Sequence, residues 1–240
     1  MKENEMIVPL SKRLLAIVSF VTPGNRAADI GCDHGFVPIY LVKQKIVPKA
    51  IAMDIKKGPL QRASEHIQEY GLEQMIETRL SDGMEQLHPG EVDTIILSGI
   101  GGPLMIQILE KGMHVTVSLK EMVLSPQSEI EQVRRYLVAY SFCITEEKMV
   151  LEDGKYYVVM HVIVNKEKPS EWTNLEYRYG KSLLEQQDDV FLSYLQWEQK
   201  TKTELWKRLN QTDTERAKER QQQLGQELQM NQEAQNLIQQ

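Results

Sequence analysis

Short apolar runs recur through the first two thirds of the chain, and each is closed by an acid, a serine or a glycine. Ala27–Ile30 is the first, running into a turn that holds Gly31 and Gly35. Lys49–Ile55 follows with Asp54 near its end, then Ile76–Leu80 before Ser81-Asp82-Gly83. Asp93–Ser98 leads into Gly99-Ile100-Gly101-Gly102-Pro103, and Met122–Ser125 stops at Pro126. Apolar runs of this length between turn residues read as buried strands. Phe36–Val42 and Glu129–Ala139 read as helices between them, and Leu10–Val21 as a helix leading into the first strand. Phe142–Leu151 and Tyr156–Val164 pair as a hairpin through Glu152-Asp153-Gly154-Lys155, a favoured Asp-Gly turn.

The pattern changes near residue 166. Twelve of the fourteen glycines and every proline but Pro169 precede that point. Beyond it the chain is rich in Glu, Gln, Lys and Leu, with apolar positions at three- and four-residue steps: Leu175, Tyr179, Leu183; Phe191, Tyr194, Leu195; Leu205, Trp206, Leu209. This predicts helices over Glu171–Gln187, Val190–Asn210 and Thr214–Gln239, broken at Asp188-Asp189 and at Asn210-Gln211-Thr212-Asp213. So narrow a stripe predicts an antiparallel coiled coil, with a weakly apolar last helix that frays. The expected division is an α/β domain over 1–165 and a helical coiled-coil domain over 166–240.

Composition narrows the classes. No apolar run approaches the ~20 residues that span a bilayer, and Met1-Lys2-Glu3-Asn4-Glu5 carries no signal-peptide pattern, so a cytoplasmic protein without a membrane role is expected. Cys32 and Cys143 are far apart and the five histidines are scattered, which argues against a disulfide framework or a metal site. His66, His88, His114 and His161 read as surface or edge residues, and only His34 as a site candidate. The net charge of −6 argues against a nucleic-acid partner, but its distribution does not. Residues 1–62 carry ten Lys/Arg against five Asp/Glu, and residues 63–165 seven against sixteen. Lys12, Arg13, Lys56 and Lys57 belong to the basic part, which reads equally as a phosphate-binding face or as solvated helix surface. A monomer is expected.

The chemistry gathers at the strand ends. Ligands of open α/β sheets bind there, and the first turn lacks the Gly-x-Gly-x-x-Gly of a pyrophosphate cradle because Cys32 follows Gly31. Asp29 and Asp33 suit a cationic ligand, and S-adenosylmethionine carries both a sulfonium and an ammonium. Asp54, about twenty residues past the first turn, is placed to take ribose hydroxyls. Five parallel strands and an antiparallel hairpin are the order of a class I (Rossmann-like) methyltransferase sheet.

Taken together, these motifs resemble the TrmK family of bacterial tRNA (adenine(22)-N1)-methyltransferases along essentially the whole chain. The matching pieces are Leu-Ser-Lys-Arg-Leu at 10–14, Ala-Asp-Ile-Gly-x-Asp-His at 28–34, Gly-Pro at 58–59 and Asp-Gly at 82–83. They continue with x-Gly-x-Gly-Gly at 98–102, Pro-Gln at 126–127 with a following Arg-x-x-Leu, and Glu-Asp-Gly-Lys at 152–155. The resemblance implies S-adenosylmethionine as cofactor and tRNA as partner. Asp29 and Gly31 would shape the methionine pocket, Asp54 the ribose site and Asp82 the adenine site. Cys32, His34, Ile55, Ser81, Gly83, Ser98 and Gly99 would complete them, with Lys12, Arg13, Lys56 and Lys57 on the RNA. After the fourth strand the chain reads Ser98-Gly99-Ile100-Gly101-Gly102, without the Asn-Pro-Pro-Tyr type of motif common in enzymes that methylate exocyclic amines. That is consistent with a ring nitrogen as nucleophile. Asp33 is the candidate to accept a hydrogen bond from the adenine amino group, with capping of the following helix as the alternative. A methyltransferase for another substrate, or a catalytically silent adaptor, are the rival functions.

Overall fold

The computed structural model describes residues 8–164, 171–211 and 214–239. The chain divides into two compact units, Met1–Ser170 and Glu171–Gln240. The boundary expected at 165/166 lies outside the described residues.

In the first unit each apolar run is a strand within a residue or two of its expected bounds. The strands are β1 (Ala27–Ile30), β2 (Ala50–Asp54), β3 (Ile76–Leu80), β4 (Thr94–Ser98), β5 (Glu121–Ser125), β6 (Phe142–Glu152) and β7 (Lys155–Val164). They form one sheet in the order β3-β2-β1-β4-β5-β7-β6. β1 to β5 are parallel, and β7 runs antiparallel between β5 and β6. Strand order reverses between β1 and β4, so the chain leaves the two strands toward opposite edges and opens a crevice at their carboxyl ends. β1, β2, β4 and β5 are buried almost throughout, which explains their unbroken apolar runs.

The helices are α1 (Lys12–Ser19), α2 (Phe36–Lys43), α3 (Lys57–Glu69), α4 (Gly102–Lys111), α5 (Met113–Thr116) and α6 (Ile130–Ala139). Ser11 caps α1, its hydroxyl accepting the Leu14 N–H, and Ala16, Ile17 and Val18 face the core. Sequence reading gave α3, α4 and α5 no bounds. α3 and α4 open on Gly and Pro, which read as loop yet fit a first helical turn, where the N–H that proline lacks has no partner in any case. α4 packs close enough to α6 that a Cβ on Gly102 would lie 2.5 Å from the Ser128 carbonyl oxygen.

At the amino-terminal edge of the sheet, Glu121 is buried and collects donors. It accepts from the Thr22 N–H (2.9 Å), Thr94 Oγ1 (2.7 Å) and Asn25 Nδ2 (3.2 Å). His161 Nε2 lies 3.0 Å from its second oxygen. His161 is therefore part of an internal network and not the surface or edge residue its isolation in sequence implied. Sequence spacing could not show this, because Glu121 is 40 residues away.

In the second unit, Gly180 at φ 93° breaks the helix expected over 171–187 into α7 (Asn174–Tyr179) and α8 (Lys181–Glu185). Thr173 and Glu176 form a capping box on α7. α9 (Asp189–Leu209) is capped by Asp188 and α10 (Glu215–Ile238) by Thr214. α9 and α10 run antiparallel: Leu195 O accepts from Asn231, Lys202 pairs with Glu227 (2.7 Å), and Gln221 reaches Asn210. Leu224, Ala234 and Ile238 of α10 are buried, so the weakly apolar last helix has packed positions along its length.

Candidate active site

β1 delivers Asp29 to the crevice, and the turn after it is shaped by three positive φ angles, at Gly31, Asp33 and Gly35. Gly35 is required twice: φ is 72°, and a Cβ would meet Ala63 of α3 at 3.0 Å. Gly35 is also the N-cap residue of α2, so Asp33 does not cap that helix. Its carboxylate instead pairs with Arg62 Nη2 at 2.9 Å and approaches His34 Nε2 at 3.4 Å.

The cavity at the switch point holds about 570 Å³, within the range of ligand sites. Asp29, Gly31, Cys32, Asp33 and His34 line it from the first turn, and Asp54 and Ile55 from β2. Ser81, Asp82 and Gly83 follow β3, and Ser98 and Gly99 follow β4. All the cofactor candidates read from sequence thus meet around one space. Of the four basic candidates, Arg13 and Lys56 line it, whereas Lys12 and Lys57 lie outside the wall.

Asp29 is buried, and among the described residues no hydrogen bond or ion pair reaches its carboxylate. Burial, with the nearby Asp54 charge, pushes its pKa up to about 7. The same burial, with Asp29 and Asp54, pushes the Cys32 thiol well above its ordinary value, so Cys32 is a wall residue and not a nucleophile. Asp54 Oδ1 accepts the Lys56 N–H (2.8 Å), and the residue lines the cavity. Ser81 is spent on its own turn, donating to Gly83 O and accepting from Gln86 N. Asp82 lies 3.6 Å from Lys111 Nζ. Ile55, 59 % exposed, and Leu104, 48 % exposed, are apolar surfaces beside these acids, suited to a planar ring.

The loops after β4 and β5 are zipped by Gly99 N to Ser125 O (3.3 Å), Gln127 N to Ile100 O (2.9 Å) and Gly102 N to Ser128 O (3.1 Å). Gln127, Leu104, Ile108, Phe36 and Pro59 also line the cavity. Sequence reading assigned them no role, although Gln127 and Pro59 stand in the quoted Pro-Gln and Gly-Pro motifs. Among the described residues no group of three or more His, Cys, Asp or Glu can hold a metal ion, and no helix is long and apolar enough to cross a membrane.

Acids at successive strand ends around a switch-point cavity, with no pyrophosphate cradle, define a Rossmann-like methyltransferase domain. A family described as methyltransferase domain matches residues 10–160, and the chain belongs to it. The tRNA (adenine(22)-N(1))-methyltransferase of Bacillus subtilis strain 168 is 34% identical over 151 residues, 63% of either chain. The crystal structure of the B. subtilis M1A22 tRNA methyltransferase TrmK superposes with a TM-score of 0.85 at 28% identity, covering 95% of this chain and all of that one. M. capricolum TrmK, in complex with S-adenosyl-homocysteine, gives 0.83 at 25% identity, covering 95% and 99%. Among methyltransferase domains, the chain is similar to the TrmK proteins.

Proposed function

We propose that this chain is an S-adenosylmethionine-dependent tRNA methyltransferase acting on N1 of adenine 22, as a monomer in the cytoplasm. The observation that carries the reading is the partnerless buried Asp29 in a cavity lined by three further acids, within a chain that matches TrmK over 95% of its length.

The residues fit the cofactor. Asp29 offers an unspent carboxylate to an ammonium or sulfonium, and Asp54 has one oxygen free for ribose hydroxyls. Ile55 and Leu104 are positioned to flank an adenine ring whose amino group Asp82 can accept. When bound, the cofactor supplies a methyl already activated by the sulfonium. The protein's remaining task is alignment. Adenine N1 has an in-plane lone pair, so the Ser98–Gly102 loop has only to hold the ring and needs no group that pulls a lone pair out of conjugation. N1 lies on the Watson–Crick edge, so the target base has to be unpaired or extruded. Asp33 is exposed, and with Arg62 on Oδ1 its carboxylate keeps lone pairs to accept from the adenine amino group. Lys12, Lys56 and Lys57 are exposed cations for the phosphate backbone, and the α9–α10 hairpin, read as a coiled coil, extends the footprint on the folded RNA.

Mass spectrometry of nucleosides from tRNA treated with the protein and cofactor tests this. The expected product is N1-methyladenosine, lost when adenine 22 is replaced in the transcript. N6-methyladenosine, or no product on any tRNA, would overturn the assignment. Steep weakening of tRNA binding with salt is expected as well.

A further inference from the structure

Arg13 is the one basic candidate whose surroundings are not those of an RNA contact. Its backbone N–H donates to Glu152 Oε1 (3.1 Å), and its guanidinium lies over the Tyr157 ring, 5.2 Å from the centroid. Glu152 ends β6 and Tyr157 belongs to β7, so the closing hairpin holds this side chain in place. Arg13 Nη1 is shut off from solvent and has no hydrogen-bond partner among the described residues. A Cβ built on Gly99 would lie 3.9 Å from it and 4.0 Å from Gln127 Nε2, so two donors converge over one strand end. A buried charged donor without an acceptor is costly, and a ligand anion relieves that cost.

We propose that Arg13 anchors the carboxylate at the methionine end of the cofactor, with Glu152 and Tyr157 as positioning residues. The assignment rests on the reading of the cavity as a cofactor site. Ile30 is register partner of Leu97, so Gly31 follows β1 where Ser98 ends β4, with Gly99 the next residue on that side. The methionine end, held by Asp29 and Gly31, therefore comes alongside Gly99 and Arg13. Asp29 complements the ammonium of that end, and the carboxylate beside it needs a cation. Lys56, the other cation of the wall, stands at the β2 edge next to Asp54, on the ribose side. An RNA phosphate is the weaker match: extruding a base brings the ring inward and leaves the phosphates at the rim, whereas Nη1 has no solvent exposure. Pairing with a carboxylate also neutralises a cation that would otherwise repel the sulfonium and the adenine as N1 acquires positive charge.

Calorimetry on the full chain, with S-adenosylhomocysteine and its decarboxylated analogue, tests the assignment. The unaltered protein should prefer S-adenosylhomocysteine by roughly tenfold or more, the range of a hydrogen-bonded charge pair. Arg13→Met should weaken S-adenosylhomocysteine by roughly 10–100-fold and leave the analogue within about twofold, erasing the preference. Tyr157→Leu should erase part of it. Equal binding of the two ligands by the unaltered chain overturns the proposal, and this comparison needs no variant to fold. So does an Arg13→Met protein that keeps S-adenosylhomocysteine affinity but loses tRNA affinity, which would return Arg13 to a phosphate. Failure of the unaltered chain to bind either ligand would overturn the cofactor reading along with this one.

Discussion

Asp29→Asn should make the free protein more stable and cofactor binding weaker. In the folded chain the carboxyl titrates near 7 because burial, and secondarily Asp54, disfavour its charge, against an ordinary value of 3.8. The folded state thus holds a proton that the unfolded chain has released, and stability falls as pH rises from about 4 to about 7. At 1.36 kcal/mol for each pH unit, the ionised carboxyl opposes folding by up to roughly 4 kcal/mol above that window. Asn removes the charge at nearly constant volume. At pH 8, a gain of about 1–4 kcal/mol is expected, or several degrees at about 2–4 °C per kcal/mol for a chain of this size. At pH 4 the gain should vanish. Pairing with the ligand's ammonium needs the ionised form, so below about pH 7 affinity for S-adenosylhomocysteine should fall by up to about tenfold per pH unit, and the Asn variant should lose that dependence. Thermal melts from pH 4 to 8 and calorimetry from pH 5.5 to 7.5 read both effects. An Asn variant that melts no higher than the unaltered chain at pH 8 would refute the reasoning, as would affinity flat across the range.

Three further outcomes are expected. Glu121 is desolvated, yet its hydrogen bonds from His161, Thr22 and Thr94 outweigh that penalty and hold its pKa down to about 2, so its stabilisation is complete above the ordinary 4.5 and is lost as pH falls toward 2. Acid unfolding of Glu121→Gln should begin from a lower stability at pH 7 and show a shallower slope between pH 4.5 and 2 than the unaltered chain; parallel curves would exclude this network as the cause. Gly102→Ala places a Cβ 2.5 Å from the Ser128 carbonyl and 3.0 Å from Val133 Cγ2, and the overpacking should cost about 1–3 kcal/mol by denaturant titration. A chain ending at Ser170 retains the whole sheet and cavity and should bind S-adenosylhomocysteine while losing most tRNA methylation; full methylation would sink the idea that the second unit grips the RNA.

The sequence by itself determined the strands, the hairpin and the loops that carry the acids. These are local properties: a buried strand has to be apolar, and it has to end where Gly, Asp or Ser turns the chain. Asp29, Asp54 and Asp82 could be singled out because their position at a strand's end follows from neighbours within a few residues. The helix-rich end was legible for the same reason, except at Gly180, where one positive φ split a helix whose periodicity ran straight through it. Only the tertiary structure decided what each charge does. Asp33 reads as a cap or an acceptor until Gly35 takes the cap position and Arg62, 29 residues on, pairs with one of its oxygens. His161 reads as surface until β7 pairs with β5 and brings it to Glu121. Arg13 reads equally as part of a phosphate-binding face or of solvated helix surface until the hairpin, more than 130 residues away, holds it at the cavity wall. Desolvation and charge pairing depend on what stands within a few ångströms, and chain folding, not sequence neighbourhood, sets that distance.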